Sequence, residues 1–232
     1  MISSSANAQI KYIEKLMKSS RERAKEGLYV CEGLRMFLEV LEQPGALVKA
    51  YVSESFCGQE VFREKIRGRL TVPWETVADP VFDRVSDTMT PQGILGLVRK
   101  PEYDLEQILT GTDRNLLVLE DLRDPGNLGT MIRTAEAAGI GGMILSRGSA
   151  DLFNPKVIRA TMGAIYRVPF VYAEDFGAAL SMLSDRGITI YAAHLEGSIC
   201  YDEADYTKRC AILIGNEANG LSESAASLAD SR

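Results

Sequence analysis

The residues Asp124-Pro125-Gly126-Asn127-Leu128-Gly129-Thr130-Met131-Ile132-Arg133 bring a turn, a short amide and a cation together. Pro125-Gly126 marks a turn, and Asn127 is a residue type that caps free N–H groups at a helix start. Arg133 falls inside the helix that follows, where folding does not require a charge. The plain alternative is a capped helix carrying a solvated arginine. A second cluster, Gly215-Asn216-Glu217-Ala218-Asn219-Gly220, sets a carboxylate between glycines suited to a tight turn that a ligand approaches closely. A third, Ala193-His194-Leu195-Glu196-Gly197, again ends in glycine. Lys156 and Arg159 lie one helical turn apart on one side of another predicted helix. The missing groups bound the chemistry. There is no phosphate-loop Lys-Ser/Thr pair, no G-x-G-x-x-G dinucleotide spacing and no G-x-S-x-G nucleophile elbow. Cys31, Cys57, Cys200 and Cys210 form no C-x-x-C pair, and His194 is the only histidine. That argues against a metal site or a disulfide framework, fits a reducing cytoplasm, and leaves His-dependent catalysis to His194 alone.

Each cluster needs an element to hold it. Apolar runs at Leu116–Leu119, Met143–Leu145, Val168–Tyr172, Ile188–Ala193 and Ala211–Ile214 read as strands. Helices are predicted between them at Leu128–Ala138, Pro155–Met162 and Asp175–Arg186, with another from Leu221 onward. Strands alternating with helices indicate a parallel sheet covered on both faces, and such sheets bind ligands beyond the carboxyl ends of their strands. All three clusters sit at such ends, so they can converge on one cleft.

The first hundred residues read as a separate α/β domain. Helices are predicted over Ile10–Met17, Glu32–Glu42 and Glu60–Arg67, and strands over Gly27–Cys31, Val48–Val52, Leu70–Val72 and Thr90–Val98. The expected division is a domain over 1–98, a linker over 99–112 and a second domain over 113–232. The linker is polar and Pro-interrupted, with one short helix at Leu105–Leu109 and a turn cluster at Thr110–Asp113.

Composition is that of a globular chain, with 46% hydrophobic and 25% charged residues in 232. No stretch approaches the roughly 20 apolar residues of a membrane span, and the first residues lack a secretory pattern. The net charge of −6 is uneven: residues 1–100 hold 15 Lys and Arg against 13 Asp and Glu. Lys11, Lys15, Lys18, Arg21, Arg23 and Lys25 make a basic patch. It is either a solvated helix face or a segment that contacts phosphates.

Together these motifs resemble the SpoU-type RNA 2′-O-ribose methyltransferases of the SPOUT superfamily. Asp124–Gly129 with Arg133 is similar to the family's first motif. Asn154-Pro155-Lys156 and Arg159–Ala164 resemble its middle segment, and Leu213–Leu221 its second motif. Asn7–Leu16, Glu32-Gly33 and Thr90–Gly93 resemble the substrate-binding domain often fused to these enzymes. The resemblance implies S-adenosylmethionine as cofactor, a trefoil-knotted parallel-sheet domain, a homodimer and an RNA substrate, ribosomal rather than transfer RNA. It implies Asn127, Arg133 and Glu217 as catalytic residues. Leu195, Gly197, Ile214, Gly215 and Gly220 would line the methyl-donor pocket, and Lys11, Lys15, Arg21, Arg23, Lys156 and Arg159 would contact RNA. The family's third motif, an Asn- and Ser-containing segment near its end, has no match here, so the knot tail is expected to be absent from this chain. The competing readings are an RNA-binding protein without catalysis and an unrelated Rossmann-like enzyme.

Overall fold

The computed structural model describes residues 1–111, 113–197 and 199–232. The chain divides into two compact units, Met1–Pro101 with Asp151–Tyr166, and Glu102–Ala150 with Arg167–Arg232. The first part of the chain forms helices α1 (Ala8–Lys18), α2 (Ser20–Glu26), α3 (Leu34–Leu41), α4 (Glu54–Cys57), α5 (Glu60–Lys65) and α6 (Asp79–Val85). Its strands are β1 (Leu28–Glu32), β2 (Leu47–Ser53), β3 (Trp74–Val77) and β4 (Ile94–Arg99). The remainder runs α7 (Leu105–Thr110), β5 (Leu116–Leu119), α8 (Pro125–Ala137), β6 (Gly142–Ser146), α9 (Pro155–Thr161), β7 (Phe170–Ala173), α10 (Phe176–Asp185), β8 (Thr189–Ala192), β9 (Cys210–Ile214) and α11 (Glu223–Ala226).

In the first unit the sheet order is β1-β4-β2-β3, with β4 antiparallel to both neighbours and β3 parallel to β2. Helix α1 is amphipathic. Ile10, Ile13, Leu16 and Met17 face the core, and Lys11, Lys15 and Lys18 face water. Its apolar stripe packs on Val30, Tyr51, Leu95 and Leu97 of the sheet. Asn7 caps it through a 2.8 Å bond from Gln9 N–H.

Several predicted elements differ. Leu70–Val72 is not a strand; the strand is Trp74–Val77, whose edge position leaves Trp74 half exposed. The helix predicted from Glu32 starts at Leu34, because Glu32 ends β1 and Gly33 turns the chain at φ 94°. The basic segment around Arg21, Arg23 and Lys25 is a helix of its own, α2. The expected linker is not one: Tyr103, Leu105, Ile108 and Leu109 pack into the core of the second unit. Thr112, in the predicted turn cluster, lies outside the described residues. Residues 151–166, expected within the second domain, belong to the first unit.

The second unit is built on a fully parallel sheet of order β7-β6-β5-β9-β8. Leu116–Leu119 is buried throughout, as a strand covered on both faces requires. Strands β5, β6 and β7 follow one another outward in one direction, while β9 and β8 lie on the other side of β5. The strand order therefore reverses between β5 and β9, which is where open parallel sheets place ligands. At the outer side of β8, Asp230–Arg232 runs alongside the strand. Ala192 N–H donates to Ser231 O at 2.9 Å, and Ile199 N–H to Arg232 O at 3.2 Å.

Candidate functional site

The register of β5 and β9 sets Leu119 beside Ile214. The turn leaving β5 and the turn leaving β9 are thus neighbours, and side chains tie them together. The Glu217 carboxylate accepts Asp124 N–H at 2.8 Å and Arg123 N–H at 3.1 Å. The Asn127 side-chain amide reaches the same carboxylate at 3.4 Å. Asn216 Nδ2 donates to Asp121 O at 2.7 Å, and its Oδ1 accepts Ala218 and Asn219 N–H. Glu120 accepts both the N–H (2.7 Å) and the hydroxyl (2.6 Å) of Ser222. On the other flank, Asp121 holds Ser146 of β6 through its N–H at 2.8 Å and its carboxylate at 2.7 Å.

Electrostatics follow from these bonds. Desolvation acts to raise the Glu217 pKa, but the N–H groups of Asp124, Glu217 and Arg123 and the Asn127 amide outweigh it, and the net shift is downward. Glu217 is therefore an ionised clamp whose oxygens are already occupied, and its geometry is not that of a free base. The helix cap also differs from expectation. Asp124, not Asn127, caps α8, accepting Asn127 N–H at 2.7 Å. Asn127 sits in the first helical turn, which frees its side chain to face Glu217. Arg133 lies on the exposed face of α8 and has no hydrogen bond or ion pair among the described residues.

The expected donor-pocket residues fall into two groups. Gly215 is buried and Ile214 half-buried at the end of β9. A Cβ on Gly215 would lie 2.2 Å from the Gly220 carbonyl carbon and 2.3 Å from Leu221 N. Gly215 is thus demanded by the loop's own closure, in which Asn216 and Gly220 exchange N–H···O bonds of 2.9 Å, rather than by a ligand. Gly220 takes φ 68° and lines a small recess with Glu120, Asn216 and Ser222. Gly197 lines a separate cavity of about 300 Å³ beside β8. Its walls include Ala192, His194, Ile199, Tyr201, Ile212 and Arg232. Leu195, in the same loop, is fully exposed, and His194 Nδ1 accepts Glu196 N–H at 3.1 Å. The lining is mixed, apolar at Ala192, Ile199 and Ile212 and polar at His194, Tyr201 and Arg232.

In the first unit the predicted RNA contacts separate by burial. Lys11, Lys15, Arg21 and Lys156 are exposed. Arg23 is not available: at 3% exposure, its guanidinium donates to Asp151 at 2.7 and 2.9 Å and to the Leu16 and Met17 carbonyls at 2.6 and 3.0 Å. It holds the end of α1, so the RNA-contact expectation is corrected to a structural role. Arg159 is half-buried and pairs with Asp87 at 2.8 Å. Sequence reasoning missed Glu120, Asp121, Asn216 and Ser222 as site residues, although polar side chains at the carboxyl end of an apolar strand were a visible signal. Among the described residues no cluster of three or more His, Cys, Asp or Glu could hold a metal.

Comparison with known proteins agrees with this architecture. A model of the SpoU rRNA Methylase family matches residues 114–232, and one of the MRM3-like substrate binding domain matches residues 7–96. The Bacillus subtilis 23S rRNA (guanosine(2553)-2'-O)-methyltransferase RlmP is 30% identical over 220 residues, covering 95% of this chain and 84% of that protein. Human mitochondrial rRNA methyltransferase 3 is 34% identical over 163 residues, covering 67% of this chain and 37% of the longer relative. Among solved structures, the AdoMet-bound rRNA methyltransferase from Sinorhizobium meliloti superposes with a TM-score of 0.83 at 28% identity, over 98% of this chain and 85% of that one.

Proposed function

The chain belongs to the SpoU rRNA methylase family, and from that premise we propose that it is an S-adenosylmethionine-dependent RNA 2′-O-ribose methyltransferase acting on ribosomal RNA. The single observation that carries the reading is the side-chain bridge across the switch point: Glu217 of one turn holds Arg123, Asp124 and Asn127 of the other. Two motifs more than eighty residues apart in sequence are thereby made one surface.

The cofactor supplies an electrophilic methyl group on a sulfonium. Leu195, Gly197 and Ile214, at the ends of β8 and β9, are the residues that would hold it. Methyl transfer to a hydroxyl is an in-line displacement: the O–C bond would form as the S–C bond breaks to leave a neutral thioether, the hydroxyl proton would pass to water, and positioning accounts for much of the rate. A guanidinium is a poor base, and Arg133 is not given that role. Its role is to orient the ribose 2′-hydroxyl and stabilise developing oxyanion charge. Having no hydrogen bond or ion pair among the described residues, it keeps its donors for the substrate. Glu217 and Asn127 act as positioning residues that hold the turn at the head of Arg133's helix. Lys11, Lys15, Arg21 and Lys156 neutralise RNA phosphates.

The active unit is a homodimer in this reading, supported by the exposed apolar side chains Leu195, Ile199 and Tyr201 around the β8 exit. The four cysteines are free, which supports a cytoplasmic location. The test is Arg133→Ala. Methylation of ribosomal RNA, read by mass spectrometry of nucleosides, is abolished, while calorimetric binding of S-adenosylmethionine is largely retained. Equal loss of both refutes the role.

A further inference from the structure

The first unit contains a cavity of about 430 Å³ that the methyl-transfer site does not use. It lies where β1 passes into α3, faced by the loop before β4 and by α9. Its lining includes Glu32, Gly33, Met36, Gln92, Arg159 and Met162.

The cavity is built. Gln92 Oε1 accepts Leu34 N–H at 2.8 Å, which satisfies the first turn of α3 and sets the orientation of the side-chain amide. A Cβ on Gly33 would come within 3.0 Å of that oxygen, so the approach depends on glycine. The Gln92 amide nitrogen makes no hydrogen bond among the described residues. Glu32 is 4% exposed, and its carboxylate accepts the Asp87 N–H at 3.0 Å and the Thr88 hydroxyl at 2.6 Å, with the Ser86 hydroxyl also bound. It fastens the loop that forms one wall. Arg159 Nη2 binds Asp87, while Nη1 stands 3.9 Å from Glu32 Oε2, beyond hydrogen-bond reach. That Nη1 is buried and has no hydrogen-bond partner among the described residues. A buried guanidinium nitrogen left unpaired is costly unless something accepts from it.

The free groups are therefore donors: Arg159 Nη1 and the Gln92 amide. Arg35, which also lines the cavity, and Arg159 together balance the carboxylates of Glu32 and Asp87, so a phosphate gains little here. Met36 and Met162 add soft apolar surface suited to the face of a ring. We propose that this cavity receives one unstacked nucleobase of the RNA and selects carbonyl-bearing bases, uracil or guanine, over adenine. Adenine would turn an amino donor toward these donors. Single-stranded RNA is read in this way, by splaying bases into pockets that contact their edges. The inference rests on the chain being an RNA enzyme and deepens that reading.

The test is fluorescence anisotropy of the full chain with labelled hexanucleotides of uridine and of adenosine. The uridine hexamer is expected to bind about tenfold more tightly, which is about 1.4 kcal/mol. Gln92→Glu keeps the acceptor for Leu34 N–H but replaces donors with an acceptor, and it should bring the ratio close to one. Arg159→Lys keeps a cation between Glu32 and Asp87 but removes the guanidinium fork, and should lower the ratio independently. Equal binding of both hexamers by the unaltered chain overturns the pocket alone. So does a ratio unchanged in both variants. No binding of either hexamer, together with no methylation of ribosomal RNA, overturns the RNA reading as well.

Discussion

Replacing Glu217 separates a clamp from a base. In the structure its two oxygens accept the Asp124 and Arg123 N–H groups at 2.8 and 3.1 Å. Hydrogen bonds to charged groups contribute about 1.5–3 kcal/mol each when buried; here the carboxylate is exposed, and about 1 kcal/mol each is the fitting figure after screening. Glu217→Gln retains one acceptor oxygen and loses the charge, so kcat/KM should fall about tenfold, or about 1.4 kcal/mol. Glu217→Ala loses both bonds and the Asn127 contact, which gives about 2–3 kcal/mol, or a fall of about 30- to 150-fold. A general base would behave otherwise: Gln and Ala would be equally inactive, each losing about 10²–10⁴-fold. The pH profile gives a second reading. Because the folded pKa is depressed below 4.5, the clamp is intact above that value and is lost only as pH falls through the depressed pKa. Single-turnover methylation should therefore show no acid limb from Glu217 at pH 5 or above. Glutamine as inactive as alanine, or a limb near neutral pH abolished by Glu217→Gln, would refute the clamp.

Two other substitutions probe the frame. Gly215→Ala forces a methyl group into the backbone of Gly220 and Leu221, at 2.2 and 2.3 Å; the loop must open, at about 1–3 kcal/mol, and a thermal midpoint equal to that of the unaltered chain would contradict this geometry. Arg23→Met breaks a buried ion pair and releases two carbonyls of α1, so it should destabilise the chain by about 3–5 kcal/mol in urea titration. Its exposed neighbour on α1 behaves oppositely: Lys15→Ala should leave stability unchanged and reduce the salt slope of RNA binding by about one.

The sequence shows which residues are polar at strand ends, but not what they hold. The period of Leu116–Leu119 and its successors was enough to predict the parallel sheet, because strands covered on both faces are apolar throughout. The order β7-β6-β5-β9-β8 was not legible, since it depends on which strands pair across the chain, and that order makes the first and second motifs neighbours. Asp124 and Asn127 are both competent caps, and only the backbone path of Pro125-Gly126 decides between them. Arg23 and Lys15 look alike in a charge count. Arg23 is buried because α2 points it at Asp151, 128 residues away, a distance at which local pattern carries no information. The same holds for residues 151–166, whose helix pattern was visible but whose allegiance to the first unit was not.

Among the described residues Arg133 has no ion pair, and the acids at the switch point are already engaged. Glu120 is occupied by Ser222, Asp121 by Ser146, Asp124 by the first turn of α8, and Glu217 by two backbone N–H groups. Glu120, Asp121 and Glu217 are each held by donors of a neighbouring turn, and Asp121 also pairs with Arg123 at 3.5 Å. The loops are thereby cross-linked, with acceptor capacity consumed locally. Had any of them been free and within reach, it could have paired with Arg133, and under the proposed role that ion pair would have to be broken before a ribose hydroxyl could bind. A preorganised, unpartnered cation stabilises developing negative charge without reorganisation during the reaction. The network that reads as loop stabilisation is therefore also what keeps the guanidinium available. It follows that loosening it at Glu120 or Glu217 should depress methyl transfer more than it depresses stability.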